Sequence, residues 1–197
     1  RSFNYSPREG EVLNLAIGQG PNSQTPLKMA QFYVALARDG SAPSPTLARG
    51  VELGEGWSLN LDPEHLATLR QGLRNATALG GTAHVGTALE YWEVLGKTGT
   101  GETTLSQAGL VEDHAWFAGM VGPFGEPAEI VVVAIVEFGS SGSGTAAPIV
   151  SKTADFYLRS KYGIPIDTIQ TYGEHISVGP VPAWYRERYL TPRPGSR

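Results

Sequence analysis

The sequence has no cysteine among its 197 residues. A disulfide framework, a thiolate metal site and a cysteine nucleophile are therefore excluded. Positive charge is also sparse, because 15 Lys and Arg stand against 19 Asp and Glu, and the cationic side chains form no cluster. We therefore expect no nucleic-acid partner, since phosphate backbones require a basic surface.

Long apolar runs are absent too. The longest covers residues 130–136, far short of the roughly 20 apolar residues of a membrane-spanning helix. The 4 histidines lie far apart without any H-x-x-x-H pair, so we expect neither a metal site nor a cofactor. The sequence also has no G-x-S-x-G motif and no phosphate-binding loop motif, which argues against an α/β-hydrolase or a P-loop enzyme.

Two helix starts are visible where proline follows a polar N-cap residue, at Thr25 and at Asp62. Apolar residues at helical spacing predict a mostly buried helix over residues 26–38 and a second helix that ends before Gly80. The expected buried positions are Leu27, Ala30, Val34 and Ala37 in the first helix and Leu66, Leu69, Leu73 and Ala76 in the second.

Three strands are predicted over residues 90–101, 114–121 and 129–138. Short connections make them consecutive antiparallel neighbours, and the unbroken Val/Ile run of the third predicts burial on both faces. The Gly/Ser-rich residues 139–144 are expected to be a flexible hinge before a last helix over 146–160. The expected buried side of that helix is Ile149, Val150, Ala154, Tyr157 and Leu158.

From residue 162 onward prolines and arginines dominate, which divides the chain into a domain part, 1–161, and an extension, 162–197. Trp184, Tyr185 and Tyr189 lie in that extension. It is interpreted either as a solvated terminus or as a segment that docks on the domain or on a partner.

A Lys-Thr-Gly-Thr segment at the end of the first predicted strand is the best candidate for chemistry. Lys97 supplies a positive charge, Thr98 and Thr100 supply short donors, and Gly99 lets a ligand approach the backbone closely. Such an edge is suited to holding a carboxylate and aligning an acyl group beside it. The tripeptide alone also occurs by chance as an ordinary strand end with an exposed lysine.

Five segments in order resemble class B penicillin-binding proteins, and the elongation-type members fit best. In that family an I-G-Q-G run precedes a T-P-L-Q helix, followed by a short segment, the K-T-G strand, the next strand and the start of the terminal helix. The matching segments are residues 15–30, 81–84, 95–100, 114–119 and 142–148.

The resemblance implies an α/β (α+β) fold in which an antiparallel sheet is flanked by helices, as in penicillin-binding transpeptidases and serine β-lactamases. It also implies peptidoglycan D,D-transpeptidation. A serine attacks the penultimate D-Ala carbonyl of a stem peptide ending in D-Ala-D-Ala, and D-Ala leaves. An amine from a second stem then resolves the acyl-enzyme, while β-lactams mimic the dipeptide and trap the serine. Further implications are a membrane glycan polymerase as partner and an extracytoplasmic, periplasmic site in a parent protein anchored to the inner membrane by an N-terminal helix not in this chain.

By the same resemblance, two residues are catalytic and four bind substrate. Lys97 would supply positive potential near the serine and the substrate carboxylate, which the Thr98 and Thr100 hydroxyls would bind. The backbone N–H of Thr100 would be an oxyanion donor. Gly99 would keep the strand open to a ligand that pairs along it.

Two motifs of that family are missing in their expected places. No S-x-x-K occurs. S-x-N occurs only at Ser2, which lies too close before residues 18–20, and at Ser58, which lies after them and so in the wrong order. We therefore expect the nucleophile upstream of Arg1, the N-terminal half of the domain as a required partner, and no activity from this chain alone. Two alternatives remain. A serine β-lactamase or β-lactam sensor shares K-T-G but would not be expected to carry the I-G-Q-G and T-P-L segment, and a non-catalytic cell-wall scaffold would have lost the nucleophile.

Overall fold

The computed structural model describes residues 8–20, 24–52, 54–101 and 113–166. The sequence-predicted extension from residue 162 therefore lies almost entirely outside the described residues, and its role stays a prediction. No helix in the described ranges combines the length and apolarity that crossing a membrane requires.

The described part of the chain combines helices with two small antiparallel sheets. In chain order the elements are α1 (Glu9–Ala16), α2 (Pro26–Ala37), β1 (Ser41–Ala42), β2 (Trp57–Ser58), α3 (Pro63–Thr77), α4 (His84–Thr87), β3 (Trp92–Gly101), β4 (His114–Pro123), β5 (Ile130–Val136) and α5 (Ala147–Tyr162), with a π-helical turn (Gly142–Ala146) directly before α5. The main sheet has the order β3-β4-β5 with antiparallel pairing throughout, and β1 pairs with β2. The predicted antiparallel sheet flanked by helices is thus confirmed.

The main sheet separates two apolar layers, because successive side chains of a strand point to opposite faces. Val94 faces α5, whereas its neighbour Leu95 faces α2 and α3. The layer toward α5 contains Trp92, Val94, Phe117, Val121, Val150, Ala154 and Leu158. The layer toward α2 and α3 contains Leu36, Leu66, Leu95 and Met120.

Glycines leave room for the Phe117 ring in the layer toward α5. Gly96 and Gly119 are directly opposite each other in the β3–β4 register. A Cβ on Gly96 would lie 2.6 Å from Cζ of Phe117, and one on Gly119 would lie 3.0 Å from its Cε1. The ring therefore occupies the space that two side chains would otherwise fill.

Several burial expectations are wrong. Leu27, Leu69 and Tyr157 are 45%, 44% and 48% exposed, because they lie on sides of α2, α3 and α5 that contribute to neither apolar layer. The strand β5 is half-buried except at Ile135, which is 37% exposed, and is not buried on both faces, since it lies at an edge of the described sheet.

The expected flexible hinge is also wrong, because part of it is a packed turn. Gly142 is buried, the Ser141 hydroxyl accepts a hydrogen bond from the Gly144 N–H at 3.2 Å, and the Thr145 hydroxyl donates to the Gly139 carbonyl at 2.8 Å. Helix α1 was missed altogether, because its apolar residues are exposed and leave no buried stripe to recognise.

Candidate active site

The Lys-Thr-Gly-Thr segment forms the C-terminal part of β3. The strand is buried from Val94 to Gly96, whereas Lys97 and Thr100 are exposed and Thr98 is half-buried. Burial therefore ends where the polar segment begins.

Backbone hydrogen bonds show which groups of β4 point toward β5. The carbonyls of Asp113 and Val121 accept from the N–H groups of Ser140 and Glu129 at 3.0 and 2.8 Å. Alternate residues of a strand direct their N–H and C=O groups to opposite neighbours. Odd-numbered residues of β4 therefore face β5, and even-numbered residues face β3.

The register carries this alternation over to β3. Gly99 and Gly101 are opposite Trp116 and His114, so the backbone groups of these two glycines point to β4 and pair with it. The backbone groups of Thr98 and Thr100 consequently point to the other edge of β3, which pairs with none of the described strands and is called the free edge below.

Side chains donate hydrogen bonds to three backbone carbonyls along this free edge. The Thr77 hydroxyl donates to the Val94 carbonyl, and Lys97 Nζ donates to the carbonyl and the hydroxyl of Thr98 at 3.0 and 3.2 Å. The Nε2 of Gln19 donates to the Thr100 carbonyl at 2.9 Å. All three acceptors belong to even-numbered residues, which agrees with the alternation.

A cleft of about 540 Å³ lies beside this edge. Its described lining comes from the end of α1, from α2, and from the neighbouring ends of β3 and β4: Ile17, Gly18, Gln19, Gly20, Gln24, Met29, Tyr33, Lys97, Thr98, Gly99, Thr100, Gly101, His114, Trp116 and Ala118. Within this described lining, Lys97 is the one permanently charged side chain, and no carboxylate is present. The cleft is therefore suited to an anionic group.

Helix α1 places Gln19 in this cleft. The helix ends as the N–H groups of Ile17 and Gln19 both donate to the Asn14 carbonyl, at 3.2 and 2.8 Å. Gly18 and Gly20 on either side have φ angles of 79° and 78°, a left-handed conformation that glycine adopts without steric cost. The G-Q-G sequence thus reverses the chain at the helix end and brings the Gln19 amide to β3.

Trp116 lies against the glycines of β3. A Cβ on Gly99 would lie 3.1 Å from Cβ of Trp116, and one on Gly101 would lie 3.8 Å from its Nε1. The missing side chains of Gly99 and Gly101 therefore accommodate the indole on the cleft side of the strand. This packing is additional to the ligand access that the sequence predicts for Gly99.

The π-helical turn supports the same segment from the opposite face. A Cβ on Gly142 would lie 2.7 Å from the Gly99 carbonyl oxygen, 2.6 Å from that of Trp116 and 3.1 Å from Cβ of Thr98. These contacts involve main chain and a Cβ atom, which cannot rotate away. Gly142 therefore allows the turn to approach β3 and β4 closely.

His114 and Tyr33 supply polar side-chain groups to the lining. The Phe138 N–H donates to Nδ1 of His114 at 3.1 Å, so the neutral imidazole carries its proton on Nε2. Phe138 and Ser140 have φ angles of 56° and 62°, which are strained for residues other than glycine. The hydrogen bonds of their N–H groups to His114 and Asp113 help to hold this loop. Burial raises the pKa of Tyr33 to about 12, so its phenol stays protonated at neutral pH.

The structure brings all four sequence-predicted residues, Lys97, Thr98, Gly99 and Thr100, into one cleft wall. Their catalytic and binding roles stay predictions. Sequence reasoning missed Gln19, Tyr33, His114 and Trp116 as lining residues. The antiparallel register implied by the short β3–β4 connection could have indicated His114 and Trp116. No group of three His, Asp or Glu side chains in the described ranges is arranged to hold a metal ion.

Comparison with known proteins identifies the family. Residues 3–155 match the family model described as the penicillin binding protein transpeptidase domain. The peptidoglycan D,D-transpeptidase MrdA of Haemophilus influenzae is 30% identical in a match that covers 80% of this chain and 28% of that protein. The MrdA protein of Acinetobacter baumannii is 27% identical, and this match covers 80% of this chain and 26% of that protein.

A solved complex of penicillin-binding protein 2 and MreC from Helicobacter pylori is similar at a TM-score of 0.64 and 25% identity, covering 81% of this chain and 29% of that one. The chain thus spans less than a third of the length of these relatives. The match to the family model covers more than half of this sequence and includes the K-T-G strand. The chain therefore belongs to the penicillin-binding protein transpeptidase domain family.

Proposed function

We propose that this chain forms the K-T-G wall of the active site of a peptidoglycan D,D-transpeptidase. The observation that carries the proposal is the cleft beside β3, where Lys97 is the one permanently charged residue of the described lining. The free backbone edge of Thr98 and Thr100 borders the same cleft. A positive charge beside an open strand edge is suited to a peptide that ends in a carboxylate.

Lys97 and the two threonine hydroxyls would bind the terminal carboxylate of a stem peptide ending in D-Ala-D-Ala. The Lys97 ammonium bonds only to Thr98 among the described residues. Its flexible stem can turn toward an incoming carboxylate while staying close to the Thr98 hydroxyl. The positive potential would also favour the reacting serine in its ionised form.

The backbone of Thr100 would serve the reacting carbonyl. Its N–H points to the free edge, where it can donate to the oxygen that becomes negative as the serine attacks. One such donor is worth about 10²- to 10³-fold in rate in comparable acyl-transfer sites. The ligand backbone would pair along the same edge as an added strand.

The nucleophilic serine and its lysine base would lie in the part of the domain that the relatives have and this chain does not span. The exposed apolar residues of α1 favour this proposal, since Val12, Leu13, Leu15 and Ile17 are 49%, 71%, 49% and 75% exposed. Such a surface calls for cover by another part of the domain. We therefore expect this chain alone to be inactive.

The assembly around the enzyme is also a proposal. The MreC complex and a solved peptidoglycan synthase complex described as coordinating polymerization and crosslinking, which is similar at a TM-score of 0.64 and 32% identity over 81% of this chain, support a multiprotein setting. A membrane glycan polymerase would be a partner, and the domain would act outside the cytoplasmic membrane, where the substrate is.

Labelling with a fluorescent penicillin tests the proposal. The protein that carries this chain within a complete transpeptidase domain is incubated with the probe, and the labelled peptide is located by mass spectrometry. A stable adduct on a serine outside residues 1–197 is the expected result. Rapid turnover of the adduct would instead identify a β-lactamase, and no adduct at any probe concentration would identify a non-catalytic scaffold.

A further inference from the structure

The Gln19 side chain bonds to a backbone group that a ligand strand would need. Its Nε2 donates to the Thr100 carbonyl at 2.9 Å, on the free edge of β3. We propose that Gln19 keeps this hydrogen bond to the Thr100 carbonyl while no ligand is bound, and that a ligand must displace the Gln19 side chain before pairing with the edge. The inference rests on the proposed function, because it concerns how that ligand gains access.

The alternation along β3 makes this carbonyl distinctive. Thr98 and Thr100 are the residues of the segment whose backbone groups face outward. The Thr98 carbonyl is bonded by Lys97, which the ligand carboxylate would attract away. The Thr100 carbonyl is bonded by a neutral amide that no feature of the ligand attracts, so the ligand has to compete for it directly.

Only the side chain of Gln19 has to move. Its backbone N–H is fixed to the Asn14 carbonyl at 2.8 Å, at the end of α1. Its amide makes no other hydrogen bond to the described residues, and the bond to Thr100 is exposed. Rotation of the side chain into water therefore frees the Thr100 carbonyl without disturbing the helix or the strand.

This arrangement makes Gln19 a selectivity residue for ligands. A ligand with an amide N–H at the right place replaces the lost hydrogen bond with its own. A ligand without that N–H gains nothing from the exchange and binds beside the Gln19 amide. Removing the Gln19 donor should therefore help the first class of ligand and leave the second unchanged.

The test compares acylation rates of the wild-type protein, with its complete transpeptidase domain, and of Gln19→Met. Methionine keeps the length of the side chain and lacks the donor. Two probes are used: a β-lactam with an acylamino side chain and a carbapenem, whose corresponding substituent lacks an amide N–H. We expect the second-order rate with the acylamino probe to rise about two- to tenfold, the range expected for loss of one competing neutral hydrogen bond, with the carbapenem rate unchanged.

Gln71→Met is the matched control, because the Gln71 amide bonds to Asn75 on the exposed face of α3. It should change neither rate, and Gln19→Ala should repeat the selective gain. Equal changes with both probes, no change, or a loss with the acylamino probe would overturn the inference while the proposed function stands. Failure of the wild type to react with either probe would overturn the proposed function and this inference with it.

Discussion

The two halves of β3 differ in how they use the same backbone. In the N-terminal half, Trp92 and Val94 are each 4% exposed, and the Trp92 indole donates to Asp155 at 2.8 Å. In the C-terminal half, Lys97 and Thr100 are exposed beside the cleft. One half is anchored to α3 and α5, and the other presents polar groups to the cleft.

The difference predicts that stability and the proposed function depend on different halves of one strand. Neighbouring elements bond to the anchored half, including α3, where Arg74 Nε and Glu93 Oε1 form an ion pair at 2.6 Å. The buried indole N–H of Trp92 has to be paired, as it is with Asp155, because an unpaired buried polar group costs roughly 1–3 kcal/mol. The exposed half is under no such requirement, since the Gln19 and Lys97 side chains that bond to its outward carbonyls are themselves exposed and can move away. Substitutions in the two halves should therefore affect different measurements.

The largest expected effect is on stability, from Trp92→Ala in the anchored half. Loss of a buried indole should lower the free energy of unfolding by about 3–5 kcal/mol. Urea unfolding of the protein that carries this chain measures it. Trp92→Phe, which keeps a ring but loses the bond to Asp155, should cost about 1–3 kcal/mol. In either variant the fraction that stays folded should acylate at the wild-type rate, and a slower rate in that fraction would contradict the separation of the halves.

Lys97→Ala should produce the opposite result. Loss of the one permanent charge in the described cleft lining should reduce acylation by penicillin about 10²- to 10³-fold. The urea midpoint should stay within error, because this exposed ammonium bonds only to its own strand among the described residues. Lys28→Ala is the matched control, because its ammonium bonds to Gln31 within α2. Wild-type acylation in Lys97→Ala would contradict the site assignment.

Gly142→Ala should affect both measurements, because the π-helical turn contacts the exposed half from behind. The new methyl group would meet the backbone oxygens of Gly99 and Trp116 at 2.7 and 2.6 Å. We expect a loss of about 1–3 kcal/mol in stability and slower acylation from the displaced edge. At Gly144 the nearest atom would be the Ser141 hydroxyl oxygen at 3.6 Å, so Gly144→Ala should be nearly neutral. Equal effects of the two variants would exclude this close-approach explanation.

The smallest expected effect is a pH dependence away from both halves. Hydrogen bonds from the Lys161 ammonium and then the Tyr162 hydroxyl lower the pKa of Glu129. A lowered carboxyl pKa stabilises the fold above the ordinary glutamate pKa, and this contribution is lost as the pH falls through the lowered value. When the pH is lowered from about 5 to 3, the melting temperature of Glu129→Gln should therefore fall less than that of the wild type. Glu126→Gln, which removes a carboxylate without an ion pair in the described ranges, should keep the wild-type dependence; a wild-type slope in Glu129→Gln would contradict the prediction.

Element type and order could be predicted from the sequence because local chemistry determines them. The Thr25 cap before Pro26 starts α2, and the short connection between β4 and β5 fixes their antiparallel pairing. Burial could not be predicted at the same level, as Leu27 and Tyr157 show. Apolar spacing indicates that one face of a helix packs, but the extent of the neighbouring element decides which turns are covered.

The candidate site was predictable as a segment but not as a cleft. The residue types at 97–100 indicated a carboxylate site, while the orientation of each backbone group follows from the register with β4. Gln19 was not predictable as part of the site, because it lies 81 positions before Thr100 in the chain. Its approach depends on α1, whose exposed apolar residues gave no helical stripe in the sequence.

The glycines under Phe117 and Trp116 also protect the protein against misalignment. A slip of one residue between β3 and β4 would turn the outward backbone groups of Thr98 and Thr100 inward and present those of the alternate residues at the edge instead. Such a slip would also bring the side chain of Leu95 or Lys97 to the place of Gly96, where even a Cβ would lie 2.6 Å from the Phe117 ring. The pairing of aromatic residues with glycines therefore disfavours the slipped alignment sterically, and it does so next to the segment whose outward groups the proposed function requires.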